Sequence, residues 1–145
     1  MDPRVRTPLA GLRQQFDLAQ RIVAAWRKDS LALAEVRVMR ARLDTLMKAA
    51  GTGARGDSLA ALDAKLAALA GAGGGRLGGG ARGAAAAGPT LASLNGQLGG
   101  LFGAVEGTDA TPRVEATRAV ADAEHALTRL LARWRDLKDG AGAER

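Results

Sequence analysis

The residues able to do chemistry are few and far apart. His125 is the only histidine, there is no cysteine, and the carboxylates Asp17, Asp29, Glu35 and Asp44 are strung out along one apolar-patterned stretch. A general base needs a positioned partner, and a metal needs several ligands. His125 adjoins Glu124 but has no second His and no Cys to work with, so it reads as a half-exposed helix residue. The four carboxylates alternate with Arg21, Arg27, Arg37 and Arg40, the pattern of i, i+4 ion pairs on a solvated face. Acid–base work would need two carboxylates converging in one pocket. No catalytic, cofactor-binding or metal-binding residue is assigned, and no enzyme activity, cofactor or small-molecule substrate is expected.

Three short motifs have bland explanations. "RGDS" at Arg55–Ser58 matches an adhesive tripeptide, but Asp57 or Ser58 serves equally as a helix cap. "GGGRLGGGARG" has the glycines of a phosphate-cradling loop without the Gly-Lys-Ser/Thr or the flanking strand. Its two Arg, with no aromatic between them, are too few for a single-strand nucleic-acid segment. "GQLGGLFG" has the small-xxx-small spacing that packs membrane helices, yet it is short and no run of about 18 apolar residues exists to span a bilayer.

The net charge of +6 is uneven: residues 1–88 carry fourteen Lys/Arg against seven Asp/Glu, and residues 89–145 carry seven against eight. Arg outnumbers Lys seventeen to four. With the Ala and Gly load, this matches the codon bias of a GC-rich bacterium, which explains the high pI more simply than a polyanion partner. Nucleic acid is therefore not the expected partner. The absence of Cys removes disulfides and thiolate chemistry and leaves the compartment open.

The elements that would position these residues are helical. At 145 residues the length suits one domain. The unbroken 3.6-residue patterns and the scarcity of strand-type runs predict an all-α protein. It should be an elongated up-down bundle of four helices, one long, two short and one long, with a Gly-rich linker.

Residues 1–7 read as a leading turn, because Asp2-Pro3 marks a turn and Thr7-Pro8 reads as N-cap and first helical position. Helix 1 should then run from Pro8 to about Ala50. Leu9, Leu12, Phe16, Ala19, Val23 and Trp26 form one stripe, continued by Leu33, Val36, Leu43, Leu46 and Met47 after a shift near Ser30. Helix 2, from about 58 to 70, shows Leu59, Leu62, Leu66 and Leu69 on one face.

Residues 71–88 read as a flexible Gly/Ala linker. It joins the 8–70 hairpin to an 89–138 hairpin within one module. Thr90 is the expected cap of helix 3, with Leu91, Leu94, Leu98, Leu101, Phe102 and Val105 on its apolar face. Thr111 and Pro112 should open helix 4, and residues 139–145 should fray into a disordered tail. Leu12, Phe16, Trp26, Leu127, Leu131 and Trp134 are the expected core anchors. Helices 1 and 4 are expected to pack antiparallel, with Trp134 near Leu12 and Phe16, and Val120 near Trp26. Helix 2 should fold back over Val36, Leu43 and Met47.

"MDPRVRTPLAGLRQQFDLAQRIVAAW" resembles the start of the C-terminal helical region of large bacterial exported proteins. These carry sialidase-like (BNR/Asp-box) or sortilin-like β-propellers and are often labelled "glycosyl hydrolase". "DPRV" with "QFDLA" carries most of the likeness. "LASLNGQLGGLFGAVEGTDATPR" and "LLARWRDLK" resemble later helices of the same region. The likeness covers most of the chain apart from the glycine segment.

The resemblance implies a non-catalytic appendage that packs on the parent's other domains or self-associates. It also implies that this chain is a fragment or split product and that the parent is exported. The N-terminus has no apolar signal segment, so the chain expressed alone is expected to be cytoplasmic. No Asp-box and no propeller strands are present, so no site residue of that family transfers. Two alternatives stand beside this reading. One is a free-standing basic helical protein on nucleic acid or an anionic surface. The other is part of a glycoside hydrolase whose active site lies outside this chain.

Overall fold

The computed structural model describes residues 8–71, 88–107 and 111–143. They form four helices, α1 (Leu9–Ala50), α2 (Ala54–Ala70), α3 (Leu91–Glu106) and α4 (Val114–Ala143), and no strand occurs among the described residues. The all-α class and the long-short-short-long order follow the sequence periodicity. The leading turn at 1–7 and residues 72–87 of the glycine segment lie outside the described residues.

α1 has 42 residues, about 63 Å at the helical rise, and every other helix packs along it. α2 folds back on its upper half, where Arg40 donates to Asp63 from Nε (2.8 Å) and Nη2 (3.1 Å). α3 lies against the lower half in the same downward direction. Asn95 sits beside Asp29, Phe102 beside Trp26, and the amide of Gln15 donates to the Val105 carbonyl at 2.7 Å.

The end of α2 and the start of α3 touch. Gly71 has φ 81°, and a side chain there would collide with that of Thr90. α2 and α3 therefore stack as one descending column that is interrupted between Gly71 and Thr90. Thr90 caps α3 as expected: its Oγ1 accepts from the Ser93 N–H (3.2 Å), and Ser93 Oγ accepts from the Thr90 N–H (3.0 Å). This reciprocal capping box satisfies two end donors.

α4 climbs beside α1. Arg21 pairs with Glu124 and, further up, Trp134 bonds to Glu35, so both helices rise together. The expected antiparallel pairing of helices 1 and 4 is corrected to parallel. The cause is the contact at Gly71 and Thr90: α3 continues downward instead of reversing, and α4 must then ascend. Trp134 thus sits at Glu35, far from Leu12 and Phe16, and Trp26 faces α3 rather than Val120.

The core follows one line of α1. Ile22 and Val36 are fully buried with Leu66, Leu69, Leu91, Leu94, Leu98 and Val120. Ala19, Ala25, Ala32, Ala123 and Ala126 are buried between them; their small side chains let the backbones come close. Of the expected anchors, Leu127 and Trp134 are buried, while Trp26 and Leu131 are half-buried against the core. Leu12 and Phe16 are corrected: they are 39% and 62% exposed. At this end α1 turns Gly11, Leu18 and Ala19 inward, which rotates Leu12 and Phe16 out.

Helix ends also shift. α1 begins one residue late, with the Pro8 carbonyl accepting from Gly11 and Leu12. α2 starts at Ala54, so Asp57 and Ser58 lie in its first turns and cap nothing. There Asp57 still favours the helix N-terminus through its charge. α4 starts after Pro112, with the Arg113 carbonyl taking the first bonds. α4 then continues to Ala143, so residues 139–143 of the expected tail are helical. Gly140 and Ala141 border a groove against Ser58 and Lys65 of α2, and Gly140 itself is exposed with open space around it.

Candidate interaction surface

The side chains that could do chemistry do not converge. His125 is exposed, as are Asp17 and Asp44. Asp44 is taken up by Lys48 at 2.6 Å. No group of three His, Cys, Asp or Glu able to hold a metal ion occurs among the described residues. "RGDS" lies in the first turns of α2, so its arginine and aspartate are on a helix and not at an extended loop tip.

Asp29 is the exception to the solvated-face reading of the carboxylates. It is fully buried where α3 crosses α1. Its Oδ2 accepts from Asn95 Nδ2 at 2.8 Å, and the same amide donates to Ser30 Oγ at 2.9 Å. Its Oδ1 has no hydrogen-bond partner among the described residues. Burial pushes the Asp29 pKa up, and the Asn95 hydrogen bond opposes that shift. With no solvent-facing surface this carboxylate cannot meet a substrate. Its hydrogen bond to Asn95 joins α1 to α3 inside the bundle.

Glu35 sits at the upper junction. Its Oε2 accepts from Trp134 Nε1 at 2.9 Å, and Lys138 Nζ lies 3.4 Å away. The indole hydrogen bond, helped by Lys138, lowers the Glu35 pKa. The Lys138 ammonium also stands 5.1 Å from the centre of the Trp134 ring, within cation–π range. These groups tie α4 to α1.

A groove of about 720 Å³ separates α1 from the start of α4, lined among others by Asp17, Arg21, Val114, Thr117 and Arg118. Arg21 is engaged there by Glu124, whose hydrogen bond raises the guanidinium pKa further. Asp17 and Arg118 border the groove without an ion-pair partner among the described residues. Binding pockets close on their ligand, whereas this groove is open to solvent along its length.

The largest unassigned feature is the outer face of α1. Leu9, Phe16, Leu31 and Val38 are 65%, 62%, 62% and 54% exposed. With half-buried Val23 they recur every seven or eight residues, which puts them on one line of a helix. The opposite line carries Leu18, Ile22, Val36 and Leu43 into the core. α1 is therefore apolar on two opposite sides, and the bundle covers one. The charges flanking the outer line include Asp17 and Lys28, neither of them ion-paired among the described residues. Sequence reasoning mixed residues from both lines into a single stripe. The seven-residue recurrence of Leu9, Phe16 and Val23, repeated at Leu31 and Val38, was the signal that separates them.

No helix among the described residues is long and apolar enough to cross a membrane. No protein-family model, curated protein or solved structure matches the chain. These comparisons accordingly supply no link to sialidase-like or sortilin-like proteins.

Proposed function

We propose that this chain is a non-catalytic helical module whose task is association, with the outer face of α1 as its docking surface. The observation that carries this reading is the line of Leu9, Phe16, Leu31 and Val38, exposed on a helix whose opposite side is already the core. Large apolar side chains aligned on a surface mark interaction sites. The dispersed carboxylates and the buried Asp29 favour this reading over a hydrolase. Acid partners at Arg21, Arg40 and Lys48 dilute the basic charge and weigh against a polyanion site. A place as the helical appendage of a propeller protein belongs to this proposal and rests on the quoted sequence phrases alone.

The test separates surface from core. Phe16→Ser with Leu31→Ser should leave the urea midpoint nearly unchanged and abolish binding of a hydrophobic fluorescent dye. Ile22→Ala should cost about 2–5 kcal/mol. Destabilisation by the outer-face pair comparable to that of Ile22→Ala would make the face part of the fold and remove the docking reading.

A further inference from the structure

We propose that the occupant of the outer face is a second copy of this chain, bound through an antiparallel pair of α1 helices. The two-fold axis passes between Val23 and Ala24. This inference rests on the docking reading above and names the partner.

The spacing of the exposed residues is the first argument. Leu9 and Val38 lie equally far on either side of that point, and so do Phe16 and Leu31. Two copies turned end for end therefore meet Leu9 on Val38 and Phe16 on Leu31, twice each, with Val23 and Ala24 at the centre. All four strongly exposed residues of the line are covered by one another. A two-fold interface requires such a self-complementary patch.

Charge is the second argument. In the same register Asp17 of one copy stands opposite Ser30 of the other, about 3 Å along the axis from Lys28. The carboxylate is thus within side-chain reach of that ammonium on the flank of the apolar line, and the symmetry makes this approach twice. Neither Asp17 nor Lys28 has an ion-pair partner among the described residues. Arg27, which lies on the outer line itself, meets Gln20 of the second copy. The longer overlap, centred on Arg27, would set two guanidinium groups face to face and is disfavoured by like charge.

Area sets the strength. The overlap of residues 9–38 is about 45 Å long and about 10 Å wide, roughly 450 Å² on each copy. The total of about 900 Å² lies below the roughly 1,200 Å² at which stable interfaces begin. The pair is therefore a reversible dimer that forms at micromolar or higher concentration.

Sedimentation of the full chain over a concentration series tests this directly. The expected result is a monomer–dimer equilibrium that Asp17→Lys weakens about tenfold, because two lysines then oppose each other. Asp17→Lys with Lys28→Asp should restore it, an outcome that misfolding cannot produce.

The chain has no cysteine, so Phe16→Cys with Leu31→Cys should link two copies on oxidation. Leu31→Cys alone should not, since its two copies would stand roughly 22 Å apart. A monomer at every concentration, failure of the charge swap to rescue, or linking through the single cysteine would overturn the proposal. A monomer that binds anionic vesicles through this face would overturn it as well. Should the Phe16→Ser/Leu31→Ser chain stay folded and lose dye binding while the wild type stays monomeric, self-pairing fails and the docking reading survives.

Discussion

The indole N–H of Trp134, on α4, donates to the carboxylate of Glu35, on α1, at 2.9 Å. The ring itself is 4% exposed, so one residue supplies both a packed apolar body and a polar tie to a half-exposed acid. Trp134→Ala should destabilise the chain by about 3–5 kcal/mol. Trp134→Phe keeps most of the packing and should cost less, about 1 kcal/mol for the lost hydrogen bond. Urea unfolding measures both. Equal losses in the two variants would mean that the hydrogen bond, not the packing, holds α4 at this level.

Asp29 and Glu35 should push stability in opposite directions with pH. The folded pKa of Asp29 is raised, so its favourable contribution is complete below the unfolded value and is lost as pH rises through the folded one. The folded pKa of Glu35 is lowered, so its contribution holds above the unfolded value and is lost as pH falls through the folded one. Asp29→Asn removes the first effect. It should raise the neutral-pH denaturation midpoint relative to wild type, with the gap closing toward pH about 4. A variant less stable than wild type at pH about 7 would show that the Asp29 carboxylate is well paired as an anion.

The helices were legible because each is bounded by Pro or Gly and carries apolar residues three and four apart. Thr90 was legible as a cap because Ser93 stands three residues on. The choice of buried line on α1 was not, since both of its faces are apolar and only the small residues Gly11, Ala19 and Ala25 distinguish the inner one. The direction of α4 was hidden for another reason. A long glycine segment permits either direction, and only the contact of Gly71 with Thr90 decides between them. The burial of Asp29 was masked by its neighbours Arg27, Lys28 and Ser30, which give the local sequence a solvated look. Its partner Asn95 lies on another helix.

The ion pairs on the surface should matter little. Arg21–Glu124 at 2.6 Å and Arg40–Asp63 at 2.8 Å join different helices, but their side chains remain partly solvated. Exposed pairs of this kind contribute about 0.2–1 kcal/mol. Glu124→Gln and Asp63→Asn should each shift the urea midpoint by no more than that, and added salt should shrink the difference. A loss above about 2 kcal/mol in either variant would mark the pair as a structural anchor instead.

The junction between α2 and α3 makes the final prediction. Gly71 combines φ 81° with a position where a side chain would strike Thr90. An L-residue there is strained by the backbone and obstructed by the neighbour at once. Gly71→Ala should therefore cost more than the roughly 1 kcal/mol of an ordinary glycine replacement at positive φ. The segment from 72 to 87 should be nearly irrelevant by comparison. Gly71 and Thr90, on either side of it, already meet, and loop-closure cost changes only by about 0.6 kcal/mol per twofold change in length. A chain with half of that segment deleted should unfold within about 0.6 kcal/mol of wild type, and Gly71→Ala should be as harmful in the shortened chain as in the full one. If shortening instead cost as much as Gly71→Ala, residues 72–87 would be contributing contacts of their own to the bundle.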